Sequence, residues 1–156
     1  MDKQLVKNDF LRAKFLNISK AITEDDAYVK LVNEKVIEIN DILKKGNRQF
    51  GYRVRDEIVY YMLENKISGV IENEDMAFDY VIMQKILPTI TGSDAKIEHM
   101  LIGLYNICNP LKQIAFTSNY IDEAEKFIDI ARYKKSAAKI IEMLRGYKDG
   151  FTSYWI

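Results

Sequence analysis

The sequence predicts an all-α fold, a single helical bundle of about six or seven helices, and three observations carry that expectation. Apolar residues recur at spacings of three and four along almost the whole chain, the period of one helix face. The two prolines and seven glycines fall mostly at the ends of these periodic stretches rather than inside them. At 156 residues and 48% hydrophobic, the chain can bury one substantial core, whereas two domains would each be thin.

A first short segment carries Leu5, Phe10, Leu11, Phe15 and Leu16. Thr23 then precedes Glu24, Asp25 and Asp26, a hydroxyl cap followed by acids that suit the positive end of a helix. That helix is expected to bury Val32, Val36, Ile39 and Leu43 and to stop near Gly46. The next runs from about Tyr52 to Lys66, with Val54, Ile58, Tyr61 and Met62 inward and Ser68-Gly69 as its stop. Another begins near Asp75, buries Met76, Phe78 or Ala77, Val81, Ile82 and Ile86, and ends before Pro88. The turn Thr91-Gly92-Ser93-Asp94 supplies caps for a helix whose Ile97, Leu101, Leu104 and Cys108 repeat the same spacing until Asn109-Pro110 breaks it.

From Leu111 to Asn119 there is no helical period, and an extended piece around Ile114-Ala115-Phe116 fits the pattern as well as a loop does. Two further helices are expected, from roughly Tyr120 to Ile130 and from roughly Ser136 to Tyr147, the second burying Ala137, Ile140, Ile141 and Leu144. Gly150 is placed to end it. The tail Phe151-Thr152-Ser153-Tyr154-Trp155-Ile156 holds three aromatics in six residues, an unusual composition for a frayed end, so it is expected to dock on this domain or on a partner. No internal repeat or low-complexity linker interrupts the chain.

Composition narrows the functional classes. Basic and acidic residues balance at 23 each, which removes the whole-molecule field of a basic nucleic-acid binder or a membrane-surface protein. One cysteine, Cys108, and no secretory signal point to a reducing cytoplasm. No apolar run approaches a membrane span. With one histidine, His99, and one cysteine, the usual zinc sites cannot be built. Cys108 reads as a small core residue and His99 as an exposed helix residue beside Glu98. Neither a Gly-x-x-x-x-Gly-Lys-Ser/Thr run nor a Gly-x-Gly-x-x-Gly run is present, so the chain has no phosphate cradle of its own.

Four phrases stand out by their order: Phe50-Gly51-Tyr52-Arg53-Val54; Ala77-Phe78-Asp79-Tyr80 with Gln84-Lys85-Ile86-Leu87-Pro88; Gly92-Ser93; and Ser136-Ala137-Ala138-Lys139-Ile140 with Met143-Leu144 and Gly150-Phe151-Thr152-Ser153-Tyr154-Trp155. Over about residues 30 to 156 this resembles the C-terminal region of McrB-like AAA+ NTPases, motor subunits associated with modification-dependent DNA restriction. The resemblance implies a helical lid behind a nucleotide-binding core, in a ring where hydrolysis of ATP or GTP with Mg²⁺ drives work on DNA or on a McrC-like nuclease. The P-loop and the acidic strand that would hold Mg²⁺ are missing, so the chain is expected to be a fragment or separately encoded lid. It would bind no cofactor alone, and its partners would be the AAA+ core and neighbouring ring subunits.

Arg53 matches the family's Gly-Tyr-Arg phrase, and the resemblance gives it the sensor 2 role of reaching a bound nucleotide; Arg55 is a second nucleotide-facing candidate. On a helix wheel Arg53 lies away from the Val54/Ile58/Tyr61 stripe, while Arg55 flanks it as a snorkelling edge residue. The simpler account of Arg53 is an ion pair with Glu57 one turn on. Lys44, Lys45 and Arg48, with Phe50 and Tyr52 between the cations, form a basic stretch able to contact DNA or a partner. For Lys44 and Lys45, favourable placement at a helix C-terminus explains the position equally well. Arg132, Lys134, Lys135 and Lys139 form a second cluster, and Tyr154 and Trp155 are contact candidates in the tail. Asp79 reads as a face residue or a buried cap partner. The alternative to a lid is a freestanding helical module that binds protein or DNA.

Overall fold

The structure is a computed structural model, and it describes residues 25–155. Thr23 and Glu24, and the apolar segment from Leu5 to Leu16, lie outside the described residues. Six α-helices make up the body: α1 (Asp26–Lys44), α2 (Tyr52–Ser68), α3 (Glu74–Val81), α4 (Ala95–Cys108), α5 (Tyr120–Lys126) and α6 (Lys134–Lys148). Two short strands, β1 (Thr91–Gly92) and β2 (Thr152–Ser153), pair antiparallel. The chain is all-α apart from this ribbon.

Helix α1 begins where the Asp25 carboxylate accepts the Tyr28 amide at 3.3 Å, satisfying one of the free first-turn N–H groups. Its apolar stripe is buried as spaced, from Val32 through Val36 and Ile39 to Leu43. Gly46 does not supply the left-handed residue that follows it; Asn47 does, at φ 56°. Gly46 is there for room, since a β-carbon would come within 2.3 Å of the Met100 sulfur. Helix α2 runs antiparallel to α1: Tyr28 donates to the Met62 carbonyl at 3.4 Å and Lys66 pairs with Asp25 at one end, while Asn40 meets Phe50 at the other. Ile58, Val59, Met62 and Leu63 are buried along it, with Val54 and Tyr61 half-buried at the edges. Gly69 ends it in the left-handed region at φ 67°, as its position predicts.

Asn73, two residues before Asp75, caps α3 through bonds from the Asp75 and Met76 amides. Met76, expected inside, is exposed, because the inward face is set by Ala77, Phe78 and Val81. The helix does not stop before Pro88. It widens into one π-turn, Ile82–Ile86, and tightens into a 3₁₀ turn, Leu87–Thr89, which accepts Pro88 in its first positions, where no amide donor is needed. Asp94 caps α4 by accepting from the Lys96 amide at 2.9 Å. The segment after α4 contains no strand; Ile114 is buried, with its amide and carbonyl both held by Asn106. The expected helix to Ile130 ends at Lys126, and Ile128–Ile130 is a 3₁₀ turn.

Helix α6 packs against α4, and both face the core made by Ile39, Leu43, Ile58, Phe78, Leu101, Tyr105, Ile140 and Leu144. Its start is capped from a distance. The buried carboxylate of Asp79 accepts from the amides of Lys135 and Ser136, at 2.9 and 2.8 Å, and from the Ser136 hydroxyl at 2.5 Å. The tail docks on its own domain. Thr91 lies opposite Ser153 and Gly92 opposite Thr152, and the buried Thr152 hydroxyl donates to the Met143 carbonyl at 2.6 Å.

Candidate functional site

The start of α2 is assembled by the loop before it. Asn40 on α1 clamps Phe50 in both directions, its amide nitrogen donating to the Phe50 carbonyl at 3.3 Å and its oxygen accepting the Phe50 amide at 2.9 Å. Gly51 follows in extended backbone, at φ −87° and ψ −177°, and occupies the N-cap without a side chain to bond the first turn. That turn also has no acid. Its free N–H groups therefore make a locally positive end. Gly51 is not demanded by the fold, since its φ suits any residue and a β-carbon would meet nothing within 4 Å.

Arg53 projects from this end with its side chain 91% exposed, and Glu57 one turn on lies 3.8 Å from its Nε. Lys85, from the π-turn, reaches the other Glu57 oxygen at 3.1 Å. One carboxylate is thus shared by two cations from different elements. Lys85 lies 28 residues from Glu57 in the chain, a spacing from which no local pattern would place it beside Arg53.

Arg55 is only 35% exposed. Its guanidinium lies 4.7 Å from the centre of the Tyr52 ring. Among the described residues it makes no hydrogen bond: Asp56 is 3.9 Å from Nε, and that nitrogen is covered without an acceptor. Arg55, Tyr52 and Phe50 form one wall of a groove of about 310 Å³, and Val36, Ile37 and Lys44 of α1 form the other.

The remaining candidates scatter. Lys44 and Lys45 sit at the C-terminus of α1, Lys44 at 3.8 Å from Asp41. Arg48 turns away from them and donates to the Thr91 carbonyl at 3.3 Å. In the second basic cluster Arg132 pairs with Asp75, Lys135 bonds the Tyr80 hydroxyl, and Lys139 reaches Glu142 and lies over the Tyr154 ring. Tyr154 packs on the core and meets Trp155 edge to face, while Trp155 is 77% exposed.

Away from this surface, Glu98 is buried and receives the Tyr120 hydroxyl at 2.5 Å and the Lys148 ammonium at 2.6 Å. Burial alone raises its pKa; the bonds from Lys148 and Tyr120 outweigh that and hold it below the ordinary glutamate value. His99, exposed beside it, stacks on Phe116. The Cys108 thiol is buried and its pKa is pushed up by desolvation, the opposite of what a nucleophile needs. No group of three or more His, Cys, Asp or Glu side chains that could hold a metal ion occurs among the described residues. No helix among them is long and apolar enough to cross a membrane.

These features define, among the described residues, an all-α domain with an exposed arginine at a helix start. The chain belongs to the family described as Domain of unknown function (DUF8727), whose model matches residues 4–151. No curated protein and no solved structure matches it.

Proposed function

We propose that the chain is the helical lid of a McrB-like AAA+ NTPase, not catalytic by itself, and that Arg53 is the side chain it extends to the phosphates of a nucleotide held by a P-loop core. One observation carries the proposal. Several residues of the phrases that gave the resemblance serve packing: Asp79 caps Ser136, Gly92 pairs with Thr152, and Ile86, Leu87, Ile140 and Leu144 fill the core. Arg53 instead extends from the fold, its side chain 91% exposed, at the start of a helix whose first turn carries neither an acid nor a side-chain cap.

The chemistry available to it is positioning and electrostatics. A guanidinium stays charged at any working pH and presents parallel donors that match phosphate oxygens. The exposed pair with Glu57 holds Arg53 only weakly, so it can exchange that carboxylate for a phosphate. Lys85 remains to compensate Glu57 when Arg53 leaves. ATP or GTP with Mg²⁺ would supply the reacting phosphoryl group, and the core would hold both; this chain contributes one fork and the uncapped helix end behind it.

In this proposal the partners are the AAA+ core, neighbouring ring subunits and a McrC-like nuclease, with DNA contacted indirectly and the assembly working in the cytoplasm. The test is a chimera in which this chain replaces the helical region of a McrB-like NTPase. Arg53→Ala should lower hydrolysis by about a hundred- to a thousandfold, the range for removing one preorganised donor from a charge-stabilising site. Unchanged turnover and nucleotide affinity would remove Arg53 from the site. A freestanding binding module is the second proposal, favoured by the exposure of Trp155. DNA binding by this chain alone that weakens with salt and is lost on neutralising Lys44, Lys45 and Arg48 would support it.

A further inference from the structure

We propose that the groove between α1 and the start of α2 is a docking slot for an acidic peptide segment of a partner protein, one that carries an apolar anchor side chain next to a carboxylate. This does not rest on the lid proposal. The groove, about 310 Å³, lies at the low end of the ~300–1,000 Å³ of ligand pockets. It is walled on the α1 side by Val36 and by Ile37, which is exposed although it is aliphatic and central in its helix. Phe50 and Tyr52 face it from the other side, and Asn40 clamps the Phe50 backbone, so that wall is fixed before any partner arrives.

The polar character of the slot comes from Arg55. Its guanidinium lies over the Tyr52 ring, yet among the described residues it uses none of its donors in a hydrogen bond, and its Nε is covered without an acceptor. A covered donor left unmade costs about 1–3 kcal/mol in general, and a fork of guanidinium N–H groups is matched by a carboxylate. Lys44 stands on the opposite rim, so the lining holds two cations, one on each wall, against the single acid Asp41. Asp41, paired with Lys44, and Asp56, at 3.9 Å from Arg55, limit the field of the two cations. A single carboxylate is accommodated by two cations under those conditions, whereas a chain of phosphates would meet both acids. The aliphatic wall needs an aliphatic or aromatic side chain to cover it, which a polynucleotide backbone does not bring. Gly51, whose missing β-carbon would touch nothing, leaves the rim of the slot open to the close approach of another backbone.

The experiment is a selection of peptides from a random phage-displayed library on the full chain, followed by fluorescence anisotropy of the selected peptide. The expected consensus has Leu, Ile or Phe within two residues of Asp or Glu. Arg55→Gln and Ile37→Asp should each weaken that peptide by about tenfold or more, Arg55→Lys should restore part of the loss, and Arg53→Ala should leave it unchanged. Circular dichroism melting of each variant separates loss of the slot from loss of the fold. A selection with no acidic consensus or no enrichment, binding indifferent to Arg55→Gln and Ile37→Asp in folded protein, or displacement of the peptide by single-stranded DNA would each overturn the proposal. Because Arg53 governs hydrolysis in the chimera and Arg55 governs peptide binding here, either proposal can fail while the other stands.

Discussion

Glu98 carries the clearest pH dependence at the scale of single residues. Against the raising effect of burial, the bonds from Lys148 and Tyr120 hold its folded pKa below the ordinary glutamate value, so the stability it contributes is present above the unfolded pKa and is lost as pH falls through the folded pKa. Glu98→Gln should therefore destabilise by about 1–3 kcal/mol at neutral pH, with the difference in Tm from the unsubstituted protein shrinking below about pH 4; a constant difference across pH would contradict the assignment. Gly51 offers a test of opposite sign. A serine there adds a cap oxygen and restricts the unfolded chain, so Gly51→Ser should raise stability by about 0.5–1 kcal/mol. If Gly51 serves the approach of a partner, the same substitution weakens binding of the selected peptide while raising Tm. Arg53→Ala should leave Tm unchanged, because an exposed pair one helical turn apart adds little.

Among elements, the ends of helices are fixed by contacts far away in the chain. Asp79→Ala removes the cap of α6 and leaves buried amides of Lys135 and Ser136 without acceptors. It should cost about 2–4 kcal/mol, or a fall in Tm of roughly 5–10 °C for a chain of this size, and thermal melting checks it. Removal of 151–156 deletes β2 and the bond from Thr152 to Met143, so the truncated chain should melt lower by a similar margin, with amide exchange accelerating first at the end of α6. The helices themselves were legible in the sequence, because a stripe such as Val32, Val36, Ile39 and Leu43 needs only local period to be read. The clamps were not. Asn40, Asn65 and Asn106 each hold both backbone groups of one later residue, Phe50, Ile71 and Ile114, and nothing in an asparagine's local neighbours tells which loop it will catch. The π-turn after Val81 escaped for the same reason: Pro88 marked an end by its missing donor, while the tertiary packing of Ile82 and Ile86 carried the chain on as a widened helix. Of the site, the exposed arginine at a helix start was readable from the wheel, but the groove beside it required the antiparallel meeting of α1 and α2.

At the scale of the whole molecule, charge balance and the scatter of the candidate basic residues into separate contacts leave no broad cationic face among the described residues. Lys44 faces Asp41, Arg48 faces the ribbon, and Arg132, Lys135 and Lys139 each have a partner within the domain. A domain built this way suits local recognition at one end better than a long electrostatic footprint. Mixed with duplex or single-stranded DNA at physiological salt, the isolated chain should show no binding at micromolar protein, and an electrophoretic shift at that concentration would favour the binding-module proposal instead. The central claim, that the chain lends Arg53 to a nucleotide held elsewhere, is tested most directly by steady-state NTP hydrolysis of the McrB-like chimera with and without Arg53→Ala. The account expects about a hundred- to a thousandfold loss of kcat with an unchanged Tm; equal kcat and KM in the two proteins would contradict it.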